Sequence, residues 1–175
     1  MSKGNQLDYT ILFELMKNSK VSDRKLAKSI GVSQPTITRR RAKIEKKLID
    51  GYTAIPKWED IGYKLMAISL IKSKPIFSSE EQYLKSRKRG IDWLMKQHNV
   101  LMGGACEGMG KNSFMISLHR SYGEYDAFIH KVRLDMGDLL EDVDSILINL
   151  TATERLKPFH LKYLAEENQS LSESV

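Results

Sequence analysis

The first thirty residues alternate apolar and polar side chains at helical spacing and predict two short helices. The first covers residues 7–17 and ends at a polar break. The second covers residues 23–30, and Ser22 is placed to serve as its N-cap. The inward face of this second helix is formed by Leu26, Ala27 and Ile30. A small residue at position 27 lets another helix cross closely.

A tight turn and a third helix follow. Gly31 tolerates the left-handed backbone that ends a helix, and Ser33 is predicted to cap the next one. Pro35 falls in the first turn of this third helix, where a missing N–H costs little. The residues predicted to be buried after the turn are Val32, Ile37, Ile44 and Leu48. Two helices joined in this way form a helix-turn-helix unit.

The outward face of the third helix predicts how such a unit meets DNA. With Ile37 at the centre of the buried face, Arg39 and Lys46 point away from the core. Arg39 is the candidate for a bidentate contact with guanine, and Thr38 or Gln34 for other base edges. Arg40, Lys43 and Lys46 are candidates for phosphate contacts, which hold the register without reading sequence. The predicted DNA-binding residues are Ser33, Gln34, Pro35, Thr36, Thr38, Arg39, Arg40, Lys43 and Lys46.

The pattern changes after residue 50. A short strand over 52–55 ends at Pro56 and leads into a hinge over 57–62. Apolar or alternating segments then predict strands at 65–71, 100–106, 114–118 and 146–150, and amphipathic segments predict helices at 80–98 and 125–140. The order β-α-β-β-α-β is that of a ferredoxin-like α+β domain with both helices on one face of an antiparallel sheet. We therefore predict a helix-turn-helix domain with a strand hinge over 1–62, a ferredoxin-like domain over 63–165 and a polar tail over 166–175.

Charge strengthens the interpretation of the N-terminal segment. Residues 1–62 contain 13 Lys and Arg against 7 Asp and Glu, whereas the rest of the chain contains 15 of each. The net charge of +6 therefore arises in the first third, as expected for phosphate-backbone binding. Cys106 is the only cysteine, which excludes an internal disulfide and a thiolate zinc cluster within one chain. The sequence contains neither a membrane-length apolar run nor a secretory signal, so we expect a cytoplasmic protein without a cofactor.

The two-domain plan resembles the leucine-responsive/asparagine-operon regulator (Lrp/AsnC) family. The resemblance covers nearly the whole chain and is carried by Leu7-Asp8, Leu26-Ala27, Gly31-Val32-Ser33, Arg40, Ile44-Glu45, Ile49-Asp50-Gly51-Tyr52-Thr53-Ala54 and Ile61-Gly62. It implies homodimers built through the C-terminal sheets, often stacked into higher oligomers, and a small-molecule effector such as an amino acid. The sequence departs from the family at Arg41, a normally apolar position, and at the turn Gly108-Met109-Gly110-Lys111-Asn112, which has no acid after its glycines.

Two other functions fit part of this pattern. Siroheme decarboxylases share the two-domain plan, but they need His and Arg side chains around a tetrapyrrole, and the four histidines here are not paired at ligand spacing. Among these, His119 on a strand face is interpreted as a structural residue. An architectural protein that coats DNA with little sequence preference is the other alternative. The basic third helix favours the regulator over the decarboxylase.

Overall fold

The computed structural model describes residues 3–74, 79–152 and 157–173. Its elements are α1 (Lys3–Lys17), α2 (Asp23–Ile30), α3 (Gln34–Lys47), β1 (Leu65–Ser73), α4 (Glu80–Leu94), β2 (Val100–Gly108), β3 (Lys111–His119), α5 (Tyr122–Met136), β4 (Leu140–Asn149) and α6 (Lys162–Glu173). They form two compact units. The first contains α1, α2, α3 and α6, and the second contains the four strands with α4 and α5. The chain first passes from one unit to the other between Ile55 and Pro56.

The first unit has the predicted helix-turn-helix core. Its buried cluster takes side chains from all three N-terminal helices. These are Ile11, Leu15, Leu26, Ala27, Ile37 and Ile44. The apolar residues of each helix repeat at helical spacing, such as Ile11 and Leu15 in α1 and Ile37 and Ile44 two turns apart in α3, so one face of each helix is removed from water. Helix α1 begins earlier than predicted, at Lys3.

Local signals set the ends of α2. The Ser22 hydroxyl accepts a hydrogen bond from the Lys25 amide at 3.3 Å, as expected of an N-cap. Gly31 has φ of +79° and ends the helix in the left-handed conformation, and its N–H donates to the Ala27 carbonyl. Ser33 stands in extended backbone before α3, but its hydroxyl bonds the Thr36 hydroxyl at 2.8 Å rather than a backbone amide.

Two predictions near the end of this core are wrong. Leu48 is 47% exposed because the backbone leaves the helix there, so its side chain does not continue the face of Ile44. No strand forms over residues 52–55, all of which the structure describes. A strand needs a hydrogen-bonded neighbour, and none of the strands in the described chain pairs with this segment.

The second unit has the predicted ferredoxin-like topology. All strand pairs are antiparallel, and the sheet order is β2-β3-β1-β4. Both helices are shorter than predicted. Helix α4 ends at Leu94 rather than near 98, and α5 ends at Met136 before Gly137, so Leu140 begins β4 instead of extending the helix.

The two faces of the sheet differ. On one face Met115, Ser117 and His119 of β3 are at most 1% exposed, and Met115 packs with Phe128 of α5 and Trp93 of α4. The opposite face is apolar and partly open. In register across three strands it carries Ile68, Ile116 and Ile146, with Met102 beside Ile116 on β2. Ile146 is 57% exposed and Met102 is 58% exposed. Leu84 and Ile91 lie on the apolar side of α4, which the amphipathic pattern predicts to be buried, and both are also exposed.

The C-terminal segment, predicted to be a polar tail from residue 166, forms helix α6. Helix α6 packs against α1 within the first unit, and Ala165 is completely buried. Helix α6 contacts residues that are far from it in the sequence, so no local sequence pattern predicts this contact.

Candidate nucleic-acid interface

The outward face of α3 has the composition predicted for it. Pro35, Arg39, Ala42 and Lys46 are all exposed, opposite the buried Ile37. Arg39 and Lys46 make no ion pair with any residue that the structure describes. Within the described residues, the charges of Arg39 and Lys46 are therefore not neutralised by an ion pair and are available to a polyanion.

The N-terminal turn of α3 positions its polar side chains by hydrogen bonds. The exposed Thr38 hydroxyl donates to Asp23 Oδ2 at 2.7 Å and lies 3.2 Å from the Gln34 carbonyl oxygen. This hydrogen bond and one from Arg41 lower the pKa of Asp23, against the opposing effect of partial burial. Gln34 is exposed, and Thr36 is half-buried beside Ser33.

The predicted phosphate ligands Arg40 and Lys43 share an intramolecular partner. Arg40 Nη1 donates to Asp8 Oδ1 at 2.6 Å, and Lys43 Nζ donates to Asp8 Oδ2 at 2.7 Å. The Asp8 side chain is 8% exposed, whereas that of Lys43 is 50% exposed. Burial raises the pKa of Asp8, but the hydrogen bonds and charges of Lys43 and Arg40 outweigh it, so the pKa lies below its usual value. Arg40 thereby ties α3 to α1, while Lys43 still reaches solvent.

Arg41 joins α3 to the loop before α2 through several hydrogen bonds. From the sequence, it stood out only as a departure from the family pattern. Its guanidinium donates to the Val21 carbonyl at 3.0 Å and to the Ser19 carbonyl at 3.3 Å. It also donates to Asp23 Oδ1 at 3.1 Å and to Glu45 Oε1 at 3.0 Å. Four acceptors around one planar group fix α3 against the loop before α2. The signal available in the sequence was a charged residue at a position that is normally apolar in the family it resembles.

Among the histidines, His119 lies on the helix-covered face of the sheet beside the rings of Tyr125 and Phe128. His119 is fully buried, and its Nε2 lies 2.8 Å from the Ser117 hydroxyl. Burial lowers the pKa of His119, opposed by the charge of Glu124. The described residues contain no group of three or more His, Cys, Asp and Glu side chains that could hold a metal ion. In the described part of the chain, no helix combines the length and apolarity that crossing a membrane requires.

The glycine turn between β2 and β3 is closed by an internal ion pair. The Lys111 ammonium bonds to Asp142 and lies 2.7 Å from Asp144 Oδ2, and the lysine side chain is 7% exposed. The hydrogen bonds that the ammonium donates to both carboxylates raise the pKa of Lys111, and the same ammonium lowers the pKa of Asp142. Lys111 was noted from the sequence only because no acid follows the glycines.

Comparison with known proteins places these features in a family. Residues 5–45 match the family model of the AsnC-type helix-turn-helix domain. An uncharacterized HTH-type transcriptional regulator of Pyrococcus abyssi (strain GE5 / Orsay) is 41% identical over 71 residues, which cover 40% of this chain and 48% of that protein. A Pyrococcus horikoshii protein of the same description is 33% identical over 100 residues, covering 52% of this chain and 67% of that protein. The aligned region thus spans about half of the first relative and two thirds of the second.

The fold is similar over a greater length. The crystal structure of a transcriptional regulator in complex with L-Met from Neisseria meningitidis aligns with 94% of this chain and 99% of its own, with a TM-score of 0.73 and 18% identity. That likeness concerns the fold. With the AsnC-type domain at the N-terminus and the Pyrococcus horikoshii relative, the chain belongs to the Lrp/AsnC family of helix-turn-helix transcriptional regulators.

Proposed function

We propose that the protein is a sequence-specific DNA-binding transcriptional regulator that acts as a homodimer or higher oligomer. The observation that carries this proposal is the outward face of α3, where Arg39 and Lys46 are exposed and make no ion pair with the described residues. The contact with base edges is assigned to Arg39, with Gln34 and Thr38 beside it. Lys46 and the half-exposed Lys43 are assigned to phosphates.

Arg40 takes a different part in this proposal from that of a free phosphate ligand. Its guanidinium is bound to the buried Asp8, so its first effect is to set the angle of α3. The remaining predicted residues are Ser33, which precedes α3, and Pro35 and Thr36 in its first turn, where the hydroxyls of Ser33 and Thr36 bond to each other. In this division of roles the first unit binds DNA and the second unit provides dimerisation and effector response.

The open apolar face of the sheet supports pairing of two chains. Ile146 and Met102 are more than half exposed on a face that also presents Ile68 and Ile116. A sheet with one uncovered apolar face is stabilised when a second layer covers it. Two copies joined in this way would place two α3 helices in successive major grooves, about 10 base pairs apart or a multiple of that spacing.

A small-molecule effector is the second part of the proposal. The similar Neisseria meningitidis structure is a complex with L-Met, which makes an amino acid the first ligand to test. In this chain the glycine turn at the end of β2 is occupied by Lys111 with its two aspartates. Titration with L-methionine, followed by calorimetry and by DNA affinity, tests whether an amino acid changes binding.

Selection from a random duplex pool tests the central proposal. We expect a pseudo-palindromic sequence bound at least about 1,000-fold more tightly than a scrambled duplex. Enrichment of no motif, with equal affinity for all duplexes, would show an architectural protein instead. Absence of binding at modest salt would refute DNA binding and direct attention to tetrapyrroles.

Two substitutions then distinguish contacts that read base edges from contacts that bind phosphates. Arg39→Ala should relax base preference at one position of each half-site, because it removes the base-edge donor. Lys46→Gln should weaken all duplexes alike and lower the salt slope by about one. Lys64→Gln removes the same charge from the second unit and serves as the matched control. Equal losses for both α3 variants on cognate and random DNA would contradict the assignment.

A further inference from the structure

Helix α4 of the second unit carries a basic surface that the proposed function does not use. Residues 85–96 contain five Lys and Arg and a single acid, Asp92, although the chain beyond residue 62 has no net charge. Lys85, Lys88 and Lys96 lie along an open cleft of about 420 Å³ that Arg89 and Trp93 also line. These three lysines are termed the cation row.

Two acids near the cation row, Asp138 and Asp135, accept hydrogen bonds from other groups. Arg89 binds Asp138 in a bidentate arrangement, with N···O distances of 2.6 and 3.0 Å. The Trp93 indole donates to Asp135 Oδ2 at 2.7 Å. Within the described residues, none of the three lysines makes an ion pair, and Asp92 is likewise unpaired. The row still has a net positive charge, because its three ammonium groups outnumber the two carboxylates of the cleft, Asp92 and Asp135, which make no ion pair within the described residues.

The arrangement is linear rather than convergent. At a rise of 1.5 Å per residue, the stretch from Lys85 to Lys96 extends about 16 Å along the axis of α4 and the turn that continues it. Lys96 remains in that turn because its amide donates to the Trp93 carbonyl at 3.1 Å. Ammonium groups spread over such a length match a chain of phosphates better than one compact phosphate group. Lysine is suited to this because it acts as a point charge without geometric demand.

We propose that the cation row binds the phosphate backbone of DNA that flanks the recognition site, as a second contact surface. This inference rests on the proposed DNA-binding function, which supplies the polyanion. The contact carries no base specificity and adds to affinity and to salt dependence by releasing counterions. Duplex length beyond the half-sites then contributes to binding.

The test compares two duplexes that share one selected site. The short duplex contains only the two half-sites, and the long duplex adds about 30 base pairs on each side, enough for the backbone to reach another surface. The test variant is Lys85→Gln/Lys88→Gln/Lys96→Gln in the full chain. The control is Lys57→Gln/Lys64→Gln/Lys157→Gln, which removes the same charge from exposed positions elsewhere.

On the short duplex we expect all three proteins to bind equally. On the long duplex the wild type and the control should gain affinity and a steeper salt slope. The test variant should lose that gain, at least about tenfold at 0.1 M salt, with a salt slope smaller by about three for each bound chain. Equal behaviour of test variant and wild type on the long duplex overturns the proposal, as does an equal loss in the control or on both duplexes.

Two further outcomes are distinguished by the same proteins. Calorimetry with tripolyphosphate identifies a small-anion site if binding depends on the row while DNA affinity does not, and this result also overturns the proposal. Failure of the wild type to bind even the short duplex refutes the proposed function itself, and the inference falls with it. Circular dichroism of each variant confirms that the fold is retained.

Discussion

Replacement of Asp8 by Asn is the most informative perturbation of the helix-turn-helix unit. The substitution retains the size of the side chain but removes the carboxylate that binds both Arg40 and Lys43. Breaking a fully buried pair costs about 3–5 kcal/mol, and an exposed pair contributes about 0–1 kcal/mol. Lys43 is half exposed and can turn to water, so the main loss is at Arg40, whose side chain is 23% exposed. A charged hydrogen bond is worth about 1.5–3 kcal/mol, and we therefore expect a loss of about 2 kcal/mol.

The pH dependence of this effect has a defined sign. Because the pKa of Asp8 in the folded chain is lower than its ordinary value of 3.8, the stabilisation is complete above that value. It disappears as the pH falls through the lowered folded-state pKa. The difference in stability between wild type and Asp8→Asn should therefore be constant near neutral pH and vanish in acid.

Thermal unfolding provides the assay. A loss of about 2 kcal/mol corresponds to a fall in Tm of about 8–16 °C for a unit of the size of the first one, residues 1–55 and 156–175, when it unfolds separately. Circular dichroism at 222 nm follows the helices, while fluorescence of Trp58 and Trp93 follows the second unit and should not shift. Glu141→Ala removes the partner of Lys72 from an exposed pair and should cost less than about 1 kcal/mol. A Tm of Asp8→Asn within 1 °C of wild type, or a difference that does not shrink as the pH is lowered below 3.8, would refute the reasoning.

Three other substitutions give separate checks. Gly31→Ala should cost about 1 kcal/mol in thermal unfolding because φ is +79° there, whereas Gly51→Ala, with open space and no positive φ, should be neutral; equal effects would contradict the backbone argument. Arg41→Met should lower the free energy of unfolding by about 2 kcal/mol, since it removes donors to four acceptors, and an unchanged chemical-denaturation midpoint would count against that role. Burial keeps the folded-state pKa of His119 below 6.5, so the free energy of unfolding should fall as the pH drops below that value. His119→Gln should remove this part of the dependence of stability on pH in thermal melts between pH 7 and 5. An identical dependence in both proteins would exclude His119 as its source.

Signals local in the chain account for most of what could be predicted. The caps and turn around α2 depend on residues within four positions of one another, and Ser22 and Gly31 act as their chemistry dictates. The outward direction of Arg39 follows from the helical period once Ile37 is known to be buried. The strand and helix order of the second unit likewise follows from periodicity along the chain, and so does its ferredoxin-like topology.

Local signals did not decide the ends of elements or the choice of face. The exposed ring of Tyr52 lies in a segment with strand-like side chains but no neighbouring strand in the described chain. On β3 the buried face carries Met115, Ser117 and His119, because α5 packs against that side of the sheet.

The amino-acid sequence by itself determined the helix-turn-helix core, the order of the sheet domain and the basic outward face, since these arise from periodicity, caps and charge. Only the tertiary structure decided which charges remain available. Arg40 meets Asp8 across 32 positions in the chain, whereas Arg39 next to it meets no described acid. Tertiary packing determines which distant residues form an ion pair, and the spacing of residues along the chain does not reveal it.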